Sequence, residues 1–228
     1  MIINKHIQDY IASLDSDEST ELLMLEKWAL ENEVPIIRHD TQQFLKFCLI
    51  KDKPKAILEI GTAVGFSTLF MHEYAPSDAE ITTIEKVEMR LVHARKNLSK
   101  VPGINLIEGD AGEVLKALAD KSTDNRYLKD DESRASDLKF DMIFLDAAKG
   151  QYLSWLPDIM RLMKPGSLLL TDNVLLEGTI AESKFAVERR DRTIHMRMRD
   201  YLYEITHSDS LQTVVLPIGD GLAVSYRI

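Results

Sequence analysis

Apolar residues recur every three to four positions over the first 50 residues, which is the period of amphipathic helices. The first stripe comprises Ile3, Ile7, Tyr10, Ile11 and Leu14, and the second, after the start signal Ser19-Thr20, comprises Leu22, Leu25, Trp28 and Ala29. Val34-Pro35 interrupts the pattern, which resumes over 41–50. We therefore predict a helical cap of three helices over residues 1–50.

From Lys55 onward, short apolar runs alternate with segments of helical period. Runs bounded by turn-forming residues are typical of buried strands. We predict such strands at 56–60, 80–84, 104–107, 140–145 and 168–171, with helices that begin near Phe66, at Val87 and after Asp110. Strands that alternate with helices indicate a parallel sheet covered on both faces.

The C-terminal part breaks this alternation. Two further strands, 211–216 and 222–226, are separated only by the turn-forming stretch 217–221, which predicts an antiparallel pair. The predicted fold class is α/β: a Rossmann-like, doubly wound sheet of seven strands, mostly parallel, in a single domain over 1–228. Residues 120–139 are charged and lack an apolar period, so we predict a surface insertion there.

Composition and net charge limit which cellular compartment and which binding partners we expect. The chain has 228 residues, of which 45% are hydrophobic, and a formal net charge of −9. A negative chain repels polyanions, so contact with nucleic acid would need a local basic patch. The single cysteine, Cys48, excludes an intrachain disulfide, and no apolar run approaches the roughly 20 residues that span a bilayer. Since the N-terminus also lacks the core of a signal peptide, we predict a cytoplasmic protein without a membrane segment.

A glycine-bearing turn follows the first predicted strand. Gly61 and Gly65 leave room for the backbone to approach a ligand at the carboxyl end of the sheet, where open α/β sheets bind ligands. The turn lacks the lysine of a P-loop and the spacing of a dinucleotide fingerprint, so a packing turn is an equal alternative. Glu85, after the second strand, can hold both hydroxyls of a ribose. Asp110 can cap the next helix or accept a hydrogen bond from an adenine amine.

Oxygen-bearing side chains follow two later strands. Asp146 comes directly after the strand 140–145, and Asp172 and Asn173 come directly after the strand 168–171. Two carboxylates and one amide form an all-oxygen ligand set, which suits a hard cation such as Mg²⁺ far better than zinc. The alternatives are an ordinary turn at Asp172-Asn173 and a solvated helix start at Lys149.

A basic segment covers residues 184–199. Its six basic residues are Lys184, Arg189, Arg190, Arg192, Arg197 and Arg199, and its acidic residues are Glu188 and Asp191, so its net charge is +4 on a chain of −9. It also carries an apolar helical stripe of Ile194, Met198, Tyr201 and Ile205. The segment can contact phosphates beside the site or be a solvated helix face with internal ion pairs. His195 lies in this segment and can be an ordinary helix residue.

Taken in order, these motifs resemble those of the cation-dependent O-methyltransferases, the family of the catechol and caffeoyl-CoA enzymes and their bacterial relatives. The resemblance covers about residues 20–228. The matching motifs are Glu59-Ile60-Gly61 with Gly65, Glu85, Gly109-Asp110-Ala111, the stretch 140–149, Asp172-Asn173, and the terminal stretch 216–221. The resemblance implies a Rossmann-like methyltransferase fold, the cofactor S-adenosylmethionine and a bound Mg²⁺ or Mn²⁺.

The resemblance also assigns roles to residues. It implies that Asp146, Asp172 and Asn173 bind the metal and that Lys149, beside Asp146, is the general base or a cation that favours the deprotonated hydroxyl. The residues expected to contact S-adenosylmethionine are Val34, Glu59, Gly61, Thr62, Gly65, Ser67, Glu85, Asp110, Ala111 and Asp146. By analogy with its relatives, the protein is expected to form a homodimer.

Within the family, the stretch 146–152 is most similar to the bacterial tRNA 5-hydroxyuridine methyltransferases. We therefore predict methylation of 5-hydroxyuridine in the tRNA anticodon loop to 5-methoxyuridine. The residues expected to contact this substrate are Arg38, His39, Arg189, Arg190, Arg192 and Arg197. Plant enzymes usually carry a second acid at the position of Ala148, which argues against a caffeoyl-CoA substrate.

Two alternatives remain open from the residues. Because a catechol offers the same pair of vicinal oxygens as 5-hydroxyuridine, the enzyme can equally methylate small catechol-like phenols. A hypothesis of another class is a non-catalytic protein that only binds S-adenosylmethionine. Loss of a metal ligand would mark such a protein, and none of the three is missing.

Overall fold

A computed structural model describes residues 4–14, 18–120 and 138–228. Its α-helices are α1 (Lys5–Ala12), α2 (Thr20–Glu31), α3 (His39–Asp52), α4 (Phe66–Tyr74), α5 (Glu88–Leu98), α6 (Ala111–Ala119), α7 (Tyr152–Leu162) and α8 (Arg192–His207). Its strands are β1 (Ala56–Ile60), β2 (Glu80–Glu85), β3 (Ile104–Glu108), β4 (Phe140–Leu145), β5 (Met163–Thr171), β6 (Leu211–Leu216) and β7 (Leu222–Arg227). Short 3₁₀ helices lie at Lys149–Gln151 and Leu176–Ala181.

The strands form one sheet in the order β3-β2-β1-β4-β5-β7-β6. Strands β1 to β5 pair in parallel, whereas β7 runs antiparallel to both β5 and β6. This arrangement confirms the predicted seven-stranded, mostly parallel sheet with an antiparallel C-terminal pair. The strand order reverses beside β1, and ligands of open α/β sheets bind at such a position.

Helices cover both faces of the sheet because successive strand residues point to opposite faces. On β1, Leu58 and Ile60 pack toward α6, α7 and α8, and Ile57 packs toward α2, α3 and α4. Strand β4 follows the same rule, with Ile143 on the first face and Phe144 on the second. The parallel strands are therefore buried on both sides, which accounts for their continuous apolar runs.

The predicted element boundaries need small corrections. Strand β5 begins at Met163 rather than Leu168, and an irregularity in its pairing with Phe140 and Met142 accommodates the extra residues. On α8 the buried stripe is His195, Met198, Tyr201 and Ile205, so the assignment of Ile194 to it is wrong. Ile194 is 39% exposed because it faces the cavity described below.

The predicted insertion at 120–139 falls almost entirely on residues 121–137, which lie outside the described residues. In the parts of the chain that are described, no helix combines the length and the apolar character needed to cross a membrane.

Gly61, the residue after β1, lies directly against the backbone of Asp146, the residue after β4. Its φ is +110°, and a Cβ at this position would lie 2.8 Å from the carbonyl carbon of Asp146 and closer still to its oxygen. Neither the backbone conformation nor the space admits a side chain. The residue that follows β4 is therefore held directly against the end of β1.

We expect Gly61→Ala to destabilise the fold by about 3 to 5 kcal/mol, because backbone strain and a backbone clash act together. Urea unfolding at constant m-value measures the effect. Gly178→Ala is the matched control: its φ is +90°, but nothing lies within 4 Å of the added Cβ. The control should lose only about 1 to 2 kcal/mol. Equal losses in the two variants would contradict the importance of this close approach.

Candidate active site

Three neighbouring strands end at the same level of the sheet. Ile60 pairs with Leu145, and Leu145 pairs with Thr171. The amide of Asp146 donates to the Ile60 carbonyl (3.0 Å), and the amide of Asp172 donates to the Leu145 carbonyl (3.0 Å). Because adjacent strands are about 4.8 Å apart, the sheet brings Asp146 and Asp172 side by side.

A cavity of about 1100 Å³ lies over these strand ends. One end is lined by the turn after β1 and by residues after β2 and β3, including Gly61, Glu85 and Asp110. The centre is lined by Asp146, Lys149, Asp172 and Asn173. The far end is lined by the 3₁₀ helix Leu176–Ala181 and by the start of α8. The cavity is large enough for two ligands placed end to end.

Glu85 organises the first end of the cavity. One carboxylate oxygen accepts from the amides of Lys86 (2.9 Å) and Val87 (2.8 Å), and the other accepts from the amide of Ala63 (3.0 Å). Arg90 lies 3.8 Å away as an ion-pair partner. These contacts fix the carboxylate while leaving lone pairs that can accept from hydroxyl groups.

Asp110 caps helix α6, since its Oδ1 accepts from the amides of Gly112 (2.9 Å) and Glu113 (3.4 Å). Its Oδ2 pairs with Lys86 at 3.0 Å. Asp110 nevertheless lines the cavity, together with Ala111 and Trp155. The Trp155 ring therefore offers a flat apolar wall beside a polar edge, an arrangement suited to a heteroaromatic ring.

Glu59 lies below the cavity rather than in its lining, and it is fully buried. Its carboxylate accepts hydrogen bonds from the hydroxyls of Ser67 (2.5 Å), Thr68 and Thr83 (2.5 Å). Thr83 also shares a 2.5 Å hydrogen bond with Thr62 in the cavity wall. Burial raises the pKa of Glu59 to about 7, although the three hydroxyls oppose this shift. The network ties β1, β2 and α4 together beneath the site.

The two central carboxylates lack nearby positive charge sufficient to balance them. Burial raises the pKa of Asp146, and Lys149 and Arg90 reverse this only in part. Burial likewise raises the pKa of Asp172, and repulsion from Asp146 adds to the shift. Among the described residues, the Asp146 carboxylate receives no hydrogen bond, and the Asp172 carboxylate receives one, from the Asn173 amide (2.8 Å). Such a pair favours a cation between its members.

The surroundings fit an oxygen-coordinated cation. Asn173 has a left-handed φ of +59°, which turns this residue into the cavity lining. Thr41 Oγ1 is buried without a hydrogen-bond partner. A Cβ added to Gly219 would clash with this hydroxyl and would lie 3.8 Å from Asp172 Oδ1. Within the described ranges no three His, Cys, Asp or Glu side chains are arranged as a metal cluster. The predicted ligand set contains only two carboxylates and an amide, so it is not a cluster of that kind.

Lys149 and Asp220 form the other side of the centre. Lys149 Nζ lies 3.5 Å from Asp220 Oδ2, and Asp220 Oδ1 accepts from the amide of Glu177. Arg38 spans the mouth, donating to the Gly219 carbonyl (3.3 Å) and pairing with Glu177 at 3.4 Å. The turn between β6 and β7 thus connects the start of α3 to the loop after β5.

The predicted cofactor, metal and catalytic residues divide into two groups. Those that line the common cavity are Gly61, Thr62, Ser67, Glu85, Asp110, Ala111, Asp146, Lys149, Asp172 and Asn173. Val34, Glu59 and Gly65 lie outside the lining. Gly65 packs on Leu98 at the start of α4, whereas Val34 precedes the lining residues 35–38.

Of the predicted substrate residues, Arg38 lines the cavity, and the other five do not. Arg192 donates to the Val187 carbonyl (3.1 Å), and Arg197 donates to the Gly150 carbonyl (3.1 Å). Arg190 pairs with Glu188 and Asp191, while Arg189 is exposed. His39 begins α3 behind Arg38. Part of the basic segment therefore fastens neighbouring loops, and part faces solvent at the rim.

Many lining residues were not predicted as site residues, and three of them have side chains suited to binding or catalysis: Trp155, His195 and Asp220. Asp220 could have been predicted as a site residue, because it lies in the Gly219-Asp220-Gly221 motif of the terminal turn. Trp155 and His195 lie on helices whose apolar period predicts core packing, so periodicity alone does not distinguish them from core residues.

Comparison with known proteins gives a consistent result. A family model described as O-methyltransferase matches residues 12–228. A catechol O-methyltransferase from Niastella koreensis is 28% identical over 185 residues, which are 79% of this chain and 77% of the relative. A caffeoyl-CoA O-methyltransferase from Stellaria longipes is 28% identical over 190 residues, 82% of this chain and 73% of the relative. The structure of an O-methyltransferase from Bacillus cereus in complex with SAH shares the fold, with a TM-score of 0.79, 20% identity and coverage of 98% and 97% of the two chains.

We expect Glu59→Gln to change the pH dependence of stability. Because the folded-state pKa is about 7 and the ordinary value is 4.5, the folded protein holds this proton more tightly. The contribution of this proton to the free energy of unfolding is therefore present in full below pH 4.5. It is lost, by an amount on the order of 3 kcal/mol, as the pH rises to 7. Urea unfolding across this range should show a steeper loss in the parent chain than in the variant. Parallel pH profiles would contradict a buried, titrating Glu59.

Proposed function

The chain belongs to the O-methyltransferase family, and we propose that it transfers the methyl group of S-adenosylmethionine to a hydroxyl held by Mg²⁺ or Mn²⁺ at Asp146, Asp172 and Asn173. The observation that carries this proposal is the pair of buried carboxylates at the ends of β4 and β5, whose raised pKa values the charge of Lys149 offsets only in part. The SAH complex of the Bacillus cereus relative supports the choice of cofactor, because SAH is the product that S-adenosylmethionine leaves after methyl transfer.

The first end of the cavity suits the adenosine part of the cofactor. Glu85 is fixed by three backbone amides and can accept from the two ribose hydroxyls. Trp155 and Ala111 can cover the adenine ring, with Asp110 at its edge. Gly61 lets the cofactor lie close to the backbone, which places its methionine part toward Asp146.

The centre suits the acceptor hydroxyl. A bound divalent cation there would stabilise the oxyanion form of the hydroxyl and orient it. Asp146, Asp172 and the Asn173 amide would supply oxygen ligands, and Mg²⁺ would retain positions for two substrate oxygens. Lys149, held by Asp220 at 3.5 Å, would accept the hydroxyl proton or favour its loss by charge.

As acceptor we propose 5-hydroxyuridine in the tRNA anticodon loop, whose 4-carbonyl and 5-hydroxyl are vicinal oxygens. The supporting observation is the basic segment at the rim of the cavity. Lys184 and Arg189 are exposed, and Arg190 is 80% exposed on its side chain. Cations at this rim can contact the phosphates on either side of an unpaired base that enters the cavity.

The second candidate acceptor is a small catechol-like phenol. It is favoured by the acidic side chains of the far end of the cavity, since Glu177, Glu182, Glu188 and Asp191 line it and repel phosphates. The names of the catechol and caffeoyl-CoA relatives favour it as well. Both acceptors present two adjacent oxygens, so they require the same metal centre.

We also propose a cytoplasmic homodimer formed through the N-terminal helices. Large apolar side chains are exposed on these helices and in the turn after α1, among them Tyr10 (66%), Leu14 (67%), Met24 (69%) and Leu30 (65%). Contiguous exposed apolar surface is typical of interaction sites.

We expect Asp172→Ala to abolish methyl transfer while changing the affinity for S-adenosylmethionine by less than about threefold, because Asp172 lies beyond the adenosine end of the cavity. Calorimetry should also show lost Mg²⁺ binding. Asp209→Ala, which removes an exposed carboxylate outside the cavity lining, is the control and should retain both. Full activity of the parent enzyme in excess chelator would contradict the metal mechanism, and activity of the variant would contradict the role of Asp172.

The acceptors are distinguished by methyl incorporation into 5-hydroxyuridine-containing tRNA and into a panel of catechols. We expect turnover of the tRNA and a steep loss of its binding as salt rises. The pair of substitutions Lys184→Ala and Arg189→Ala should reduce the salt slope by roughly 0.7 to 0.9 per lost phosphate contact. The pair Lys96→Ala and Lys100→Ala removes equal charge from exposed positions on and just after α5 and should leave the slope unchanged. Turnover of catechols alone would exclude the tRNA assignment.

A further inference from the structure

His195 combines burial, a fixed orientation and an unused hydrogen-bonding atom. It is 1% exposed on α8 and lines the far end of the cavity. Its Nε2 lies 3.1 Å from the carbonyl oxygen of Thr179, which also lines the cavity. A carbonyl only accepts, so Nε2 carries the proton and donates, and in the neutral ring Nδ1 is left as an acceptor.

That acceptor has no partner. Among the described residues, the buried side-chain polar atoms without a hydrogen bond are Thr41 Oγ1 and His195 Nδ1, and of these two residues only His195 lines the cavity. The neighbouring polar group of the same wall is satisfied, since the Thr179 hydroxyl donates to the Leu176 carbonyl (2.7 Å). An unsatisfied buried acceptor weakens a fold unless a bound molecule completes it.

His195 also lies on the helix that packs against the segment following Lys149. Helix α8 packs on the 3₁₀ helix Lys149–Gln151, where Arg197 donates to the Gly150 carbonyl (3.1 Å). Ile194, the residue before His195, lies 3.8 Å from the position that a Cβ of Gly150 would occupy. Gly150 is the residue directly after Lys149. On α8, His195 thus lies between Ile194 and Arg197, the two residues that approach Gly150.

We propose that His195 Nδ1 accepts a hydrogen bond from the imide N–H of a 5-hydroxyuracil ring and so selects this ring over a catechol. The inference rests on the proposed tRNA acceptor. A ring held at the metal through its 4-carbonyl and 5-hydroxyl presents N3–H directly next to the 4-carbonyl. A catechol has only a C–H at the corresponding edge, so it leaves Nδ1 unsatisfied. His195 is thus a specificity-determining residue.

The test uses two synthetic anticodon stem-loops that differ in one group: one carries 5-hydroxyuridine, the other 3-methyl-5-hydroxyuridine. The parent enzyme should prefer the first by at least about 100-fold in kcat/KM, because the methyl group removes the donor and meets the imidazole. His195→Phe should lower kcat/KM for the first RNA by about 10- to 100-fold. It should reduce the preference between the RNAs to within about threefold.

Matched variants separate recognition from folding. His195→Asn places an amide oxygen where Nδ1 lay and should retain more of the preference than His195→Phe. His207→Phe makes the same replacement at an exposed position on α8 and should leave both rates unchanged. Affinity for S-adenosylmethionine and the Tm of each variant report whether the fold is intact.

A loss that is equal for both RNAs in His195→Phe would overturn the inference, because it would reveal a merely structural histidine. The inference would also be overturned if the parent enzyme methylates the first RNA well and His195→Phe keeps the full preference for that RNA over the second. If the parent enzyme methylates catechols but neither RNA, the proposed acceptor fails first and the inference fails with it. These results differ from one another, so the two failures are distinguishable.

Discussion

The repulsion between Asp146 and Asp172 is the constraint on which the site depends. The sheet places both carboxylates at neighbouring strand ends, in surroundings that disfavour charge and offer few hydrogen bonds. Protonation or a bound cation relieves this repulsion, and only the cation also creates a centre for chemistry. Asn173 lines the same cavity and adds a neutral, oxygen-bearing side chain to the pair.

The rest of the fold holds this pair in place. Gly61 brings the end of β1 against the backbone of Asp146, and no other residue type fits there. Below the cavity, the Glu59 carboxylate accepts hydrogen bonds from the hydroxyls of Ser67, Thr68 and Thr83. These bonds link β1 and β2 to α4. Asp220 connects Lys149 to the loop after β5. Positioning by strands rather than by free loops is what a preorganised catalytic centre requires.

The strands of the sheet and the residues at the centre of the site could be predicted from the sequence, for physical reasons. Parallel strands are buried on both faces, so their apolar runs were easy to recognise, and polar residues directly after them must meet at one edge of the sheet. Asp146, Asp172 and Asn173 were assigned from that logic together with the family resemblance. It was harder to predict which helix residues line the cavity, because the spacing of apolar residues does not distinguish a residue of the cavity wall from a residue of the core. His195 lies in the buried stripe of α8, whereas Ile194, which the spacing assigned to that stripe, faces the cavity.

The basic segment shows a second limit of sequence reasoning. Its net charge predicts attraction of phosphate, yet Arg192 and Arg197 donate to carbonyls of neighbouring loops. A count of charges cannot separate cations that support the backbone from those that remain for a ligand. The acidic residues that share the rim also act against a polyanion. The proposed metal centre, by contrast, would serve both candidate acceptors equally.

The most direct test of the central claim is a crystal structure of the protein with Mn²⁺ and S-adenosylhomocysteine, with the ion located by anomalous scattering. We expect one anomalous peak within coordination distance of oxygens from Asp146, Asp172 and Asn173, beside the cofactor sulfur. Carboxylates that remain apart with no ion between them, at saturating Mn²⁺, would contradict it.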